Sequence, residues 1–148
     1  MAIYIICLWL ASLLLGYSLA FSGATLIIGR SISDSGSSTG FQNAITPPWS
    51  TNLAIASYAA SIGAVGYGLW QLGWLAGMGI VVAYCFLVAV NQALLLPKPG
   101  SGHFRRLIIH SMITRYADFV KLGDTVRAAA MAALLEKLDV PVPDELQT

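Results

Sequence analysis

From Ser35 to Pro97 the chain carries no Asp, Glu, Lys, Arg or His, and residues 1–29 form a second stretch without any. A soluble surface needs charge for solvation. A globule lacking it over 63 consecutive residues would expose a very large apolar patch. Hydrocarbon, by contrast, excludes ionised groups, since each costs several kcal/mol there. The two stretches therefore point to a bilayer. Composition agrees: of 148 residues, 57% are hydrophobic and only 10% charged, where a soluble domain carries about 25% charged residues. Mean hydropathy is +0.72. Disorder, coiled coil, nucleic-acid binding and an ordinary soluble enzyme are all excluded by this balance.

Length sets the number of crossings. A helix needs about 20 apolar residues to cross about 30 Å of hydrocarbon. Three segments meet this requirement, at about 3–28, 49–70 and 74–96, and the remaining chain holds too much charge for a fourth. The expected fold is an all-α integral membrane protein. A first transmembrane helix is followed by a tight helical hairpin, and then by a cytoplasmic amphipathic helix–loop–helix tail over residues 97–148. The first segment lacks the basic n-region of a cleaved signal peptide, and its apolar stretch is too long for one; it reads as a retained helix.

Orientation follows from the basic residues. Arg30, Lys98, Arg105, Arg106, Arg115, Lys121, Arg127 and Lys137 are all the Lys and Arg there are. With three crossings, every one falls on one face, and the positive-inside rule makes that face cytoplasmic. The N-terminus and the turn at Gln71–Gly73 then lie outside, in a plasma-type membrane such as a bacterial inner membrane.

Small residues recur at Ser12, Gly16 and Ala20, spaced four apart on one helical stripe where another backbone can approach. The stripe reads as an assembly interface or as a chance pattern. The second segment carries Ala56, Ala60, Gly63, Gly66 and Gly68, and the third opens with Gly73, Ala76, Gly77 and Gly79. Their concentration near the turn predicts closest approach of the two backbones there. Trp70 and Trp74 flank the turn as interfacial anchors. The polar groups inside the apolar segments are Asn52, Asn91 and Gln92, with Ser57 and Ser61. Amides in hydrocarbon need partners, so helix–helix adhesion is the expected role.

The loop at 29–48 is rich in Ser and Gly and ends in Pro47-Pro48. It lacks the Gly-Lys-Ser/Thr ending of a phosphate loop and reads as a cytoplasmic linker. Beyond the Pro97-Lys-Pro-Gly break, residues 104–122 place Phe104, Ile108, Met112, Tyr116, Ile109, Ile113, Phe119 and Val120 on one half of a helical wheel. Arg105 and Arg115 interrupt that half, where long side chains snorkel outward. Lys98, Arg105, Arg106, Arg115 and Lys121 are thus candidate contacts for lipid headgroups or for a partner subunit. Gly123 suits a helix C′ position, and Asp124 the N-cap of a second tail helix to about Leu138. The end from Val140 reads as extended.

No catalytic constellation emerges. His103 and His110 lie outside the apolar segments, so a bundle-internal haem lacks its ligand pair. Ion-coupled transport needs intramembrane ionisable groups, and there are none. Cys7 and Cys85 differ in depth by roughly 10 Å at helical rise, too far apart for a disulfide. No cofactor or metal site is evident, although lipid, pigment or quinone between helices leaves no short signature. Three functions fit: a non-catalytic accessory subunit of a larger membrane complex, a homo-oligomeric pore, or an anchor whose tail recruits a cytoplasmic protein. The expected partners are membrane lipids and other membrane subunits or further copies of the chain.

Overall fold

The computed structural model describes residues 2–32 and 45–142. Among them every regular element is an α-helix: α1 spans Ala2–Ile32, α2 Pro48–Leu94, α3 Gly102–Lys121 and α4 Thr125–Lys137. The Ser/Gly-rich part of the expected linker (33–44) and the end of the tail (143–148) lie outside the described residues. Two helices, α1 and α2, are long and apolar enough to cross a membrane. In their most apolar stretches only 22% and 11% of the residues are buried. The core helix of a soluble globule would be mostly covered.

α2 is not one rod. Gly73 sits inside it at φ 75°, ψ 173°, a region open essentially to glycine alone, and separates an arm of residues 48–72 from one of 74–94. The arms fold back on each other. Ser61 meets Tyr84, and a Cβ placed on Gly77 would touch Leu69. Pro48 opens the first arm, where its missing N–H belongs to the unpaired first turn of a helix anyway. The second arm ends at Leu94, two residues short of the expected Leu96; Leu95 and Leu96 both donate their N–H to the Asn91 carbonyl at 3.0 Å.

The chain divides into two compact units. The first comprises Met1–Gly23 with Pro48–Pro99. In it α1 runs antiparallel to the first arm, with Tyr4 against Ala64 and Phe21 against Trp49. It runs parallel to the second arm, with Ser12 against Asn91 and Gly16 against Gln92. Ala11, Tyr84 and Val88 form its buried apolar centre, packed by Leu8, Leu15, Ala64 and Val65. Most of its large side chains face outward, among them Ile3, Ile62, Trp70, Trp74, Leu75 and Phe86.

The second unit comprises Ala24–Pro47 with Gly100–Thr148. α3 and α4 pack on each other. Phe104, Ile108, Met112 and Tyr116 on α3 are buried, as are Ala128, Met131, Leu135 and Leu138 on and beside α4. α1 continues four residues past its expected end, because Ile28 and Ile32 are buried here too. Lys137 Nζ donates to the Ile32 carbonyl at 3.4 Å. Both tail helices close with the same hydrogen-bonded motif. After α3, Gly123 takes φ 71°, while Asp124 N–H reaches Phe119 O and Gly123 N–H reaches Val120 O. After α4, Asp139 takes φ 55°, and Val140 and Asp139 donate to Leu135 O and Glu136 O. This is the Schellman closure, and it ordinarily recruits glycine. Asp124 caps α4, its carboxylate accepting from Arg127 N–H at 3.1 Å.

Candidate functional site

The polar side chains of the first unit form short closed circuits. Asn91 Nδ2 donates to Ser12 Oγ at 2.7 Å, and Ser12 Oγ donates onward to the Trp9 carbonyl at 2.6 Å. Both side chains are buried. One turn along, Gln92 Nε2 donates to the Gly16 carbonyl at 3.3 Å. Between the arms, Ser61 Oγ donates to the Ser57 carbonyl at 2.6 Å and lies 2.7 Å from the Tyr84 hydroxyl. With the Ser61 proton on Ser57 O, Tyr84 is the donor. Tyr4 OH donates to the Ala64 carbonyl at 3.0 Å. Buried polar groups are costly unless paired, and these pairs hold α1 and both arms in one register.

The candidate packing residues separate into two groups. Ser12, Gly16 and Ala20 are buried, and the Ser12–Gly16 stretch faces the second arm: a Cβ on Gly16 would lie 2.8 Å from Leu96 Cδ1. The stripe, readable as an assembly interface or as a chance pattern, is buried within the chain. Gly77 is buried against Leu69, whose Cα lies 2.9 Å from where a Cβ would stand. Gly68, buried against Tyr4 and Ile80, makes the other close approach. Gly73 makes the turn. Ala56, Ala60 and Gly63, by contrast, are exposed, and nothing lies within 4 Å of a Cβ on Gly63. That face does not close the hairpin. The buried face of the first arm is the neighbouring stripe Ser57, Ser61 and Gly68. Asn52 is exposed, unlike Asn91.

The candidate basic residues separate likewise. Arg105 Nη2 donates to the Leu138 carbonyl at 3.0 Å, and Arg115 Nη2 to the Thr46 carbonyl at 2.6 Å. Each of these two arginines thus has a backbone carbonyl of its own unit as partner, with Arg105 exposed and Arg115 half-buried. The apolar stripe they interrupt is covered by the chain itself. Lys98, Arg106 and Lys121 are exposed, as is Arg105 despite its bond. Arg127 forms an exposed pair with Asp124 at 3.3 Å and lies 5.9 Å from the Phe119 ring.

Cys7 and Cys85 are free, exposed thiols. Among the described residues no three His, Cys, Asp or Glu side chains converge as a metal site would require. A shallow groove of about 370 Å³ beside the turn is lined by Gly66, Tyr67, Trp70 and Gln71. Compared with known protein families, characterised proteins and solved structures, the chain matches none at a significant level.

Proposed function

We propose that this chain is a non-catalytic subunit of a larger membrane assembly, crossing the bilayer three times with its N-terminus outside and its tail in the cytoplasm. Arithmetic supports three crossings. As a straight rod, the 47 residues of α2 would reach about 70 Å at helical rise, more than twice the hydrocarbon thickness. The break at Gly73 leaves two arms of about 37 and 31 Å, each suited to one crossing.

The observation that carries the subunit reading is the direction in which polarity points. Ser12, Ser61, Tyr84 and Asn91 pair inward within one chain. The outward faces keep large apolar side chains and the small-residue stripe Ala56, Ala60 and Gly63. Such a bundle offers neighbours close backbone contact, the main source of helix association in lipid, and supplies no chemistry of its own. A pore of identical copies needs polar groups on an outer face; Asn52, Tyr58 and Tyr67 are exposed there, scattered among apolar and small side chains, while the interhelical hydrogen bonds point inward. The anchor reading keeps one specific support, the separate core of the tail unit around Phe104, Met112 and Leu135.

Gentle extraction in a mild detergent followed by native mass measurement tests the proposal. Copurification with different chains, at a mass well above 15.7 kDa, is the expected result. A lone monomer or a ring of identical chains overturns it.

A further inference from the structure

The outer side of α3 carries a cleft of about 410 Å³ lined by Gly102, His103, Arg106, Leu107 and His110. The positions i, i+3 and i+7 put His103, Arg106 and His110 within about 60° of one another around the helix. This face lies away from the buried stripe Phe104, Ile108, Met112 and Tyr116. All three side chains are exposed, and no carboxylate of the described residues lines the cleft.

Arg106 stands apart from the other arginines of its helix. Arg105 and Arg115 are bound to carbonyls at 3.0 and 2.6 Å. Among the described residues the Arg106 guanidinium has neither hydrogen bond nor ion pair. A guanidinium presents a planar fork of N–H donors matched to phosphate oxygens. The imidazoles on either side add N–H donors in either protonation state. A free fork between two imidazoles in a carboxylate-free cleft is a donor set for a tetrahedral anion. The cleft begins eight residues after Leu94, where α2 ends.

We propose that His103, Arg106 and His110 bind a phosphate group, and that Arg106 provides the main contact. The proposal rests on the membrane reading above, which puts anionic phospholipid headgroups beside this stretch of chain. Free phosphate presents the same chemistry.

The test uses the full chain with ¹⁵N-labelled histidine in neutral maltoside micelles. The two imidazoles are assigned by His103→Asn and His110→Asn. One arm titrates short-chain phosphatidylglycerol into the micelles, and the other titrates inorganic phosphate. Saturable shifts of both imidazoles are expected in the lipid arm. Arg106→Gln should weaken the response at least tenfold, while Arg127→Gln, which removes one exposed charge from α4, should leave it within twofold. Shifts in the phosphate arm alone support the anion site with free phosphate as its ligand. Unchanged imidazoles in both arms, or equal weakening by Arg127→Gln, overturn the site. Resistance of the same protein to carbonate extraction from membranes is measured in parallel. If it is extracted, the membrane reading fails; if it stays while the imidazoles do not respond, only the phosphate site fails.

Discussion

Asn91 on the second arm of α2 donates to Ser12 on α1 at 2.7 Å, closing a hydrogen bond between residues 79 apart in sequence. The pair fixes which turn of α1 faces which turn of the arm, because sliding by one residue leaves a buried amide unpaired. Interhelical hydrogen bonds of this kind contribute about 0.6 kcal/mol on average and up to about 1.7. A double-mutant cycle of Ser12→Ala and Asn91→Ala, read by reversible unfolding in micelles, should give a coupling energy in that range. Additive single-mutant effects would mean that the pair contributes nothing to register.

Glycine substitutions should sort by the face on which each lies. Gly77→Ala places a Cβ 2.9 Å from the Leu69 backbone, so the arms must separate, and overpacking of this kind costs about 1–3 kcal/mol. Gly63→Ala meets nothing within 4 Å and should change the stability of the isolated chain by less than about 0.5 kcal/mol. Gly63→Ile should leave the monomer folded yet release copurifying chains, as native mass measurement would show. Retention of all partners in Gly63→Ile would remove the Ala56–Ala60–Gly63 face from the assembly.

Gly73 is a test of backbone geometry alone. A Cβ there meets no neighbour, but φ 75° with ψ 173° is strained for any L-residue by about 1–3 kcal/mol. Gly73→Ala should therefore destabilise the hairpin by that amount in the same unfolding assay. A neutral result would show that the arms turn with different backbone geometry.

The tail offers a stabilising change. Asp139 occupies a left-handed position at φ 55° in the closure of α4, where glycine avoids a cost of about 1–2 kcal/mol. Asp139→Gly should slow hydrogen exchange of the α4 amides, and Arg115→Gln should speed exchange in α3 by removing the bond to Thr46 O. The reverse order of protection would contradict this account of the tail core.

Much of this architecture was readable from residue types. Charge-free runs imply long apolar helices because hydrocarbon penalises any ion. A glycine between two tryptophans marked the turn, and Gly123-Asp124 marked a stop and restart because each residue suits one cap position. The facing of the first arm was not readable. Small residues populate two adjacent stripes, Ala56–Ala60–Gly63 and Ser57–Ser61–Gly68, about 100° apart, and periodicity cannot choose between them. The serine hydroxyls made the buried stripe look the more polar of the two, yet Ser61 is where Tyr84 donates. The bonds of Arg105 and Arg115 were not readable for a related reason. Their carbonyl partners lie 33 and 69 residues away, and nothing local distinguishes an arginine that bonds to its own chain from one that reaches for a headgroup. Arg105 and Arg106 are neighbours and both exposed, yet of the two only Arg105 has such a carbonyl partner among the described residues.

The central claim is three crossings with the Gly73 turn outside and the tail inside. Cys7 and Cys85, both exposed free thiols, are first replaced by alanine. Single cysteines are then introduced as Leu72→Cys and Gly102→Cys and treated with a membrane-impermeant maleimide in intact cells. The account predicts labelling at position 72 from outside and at position 102 only after lysis. Labelling of both positions from the same side would contradict it.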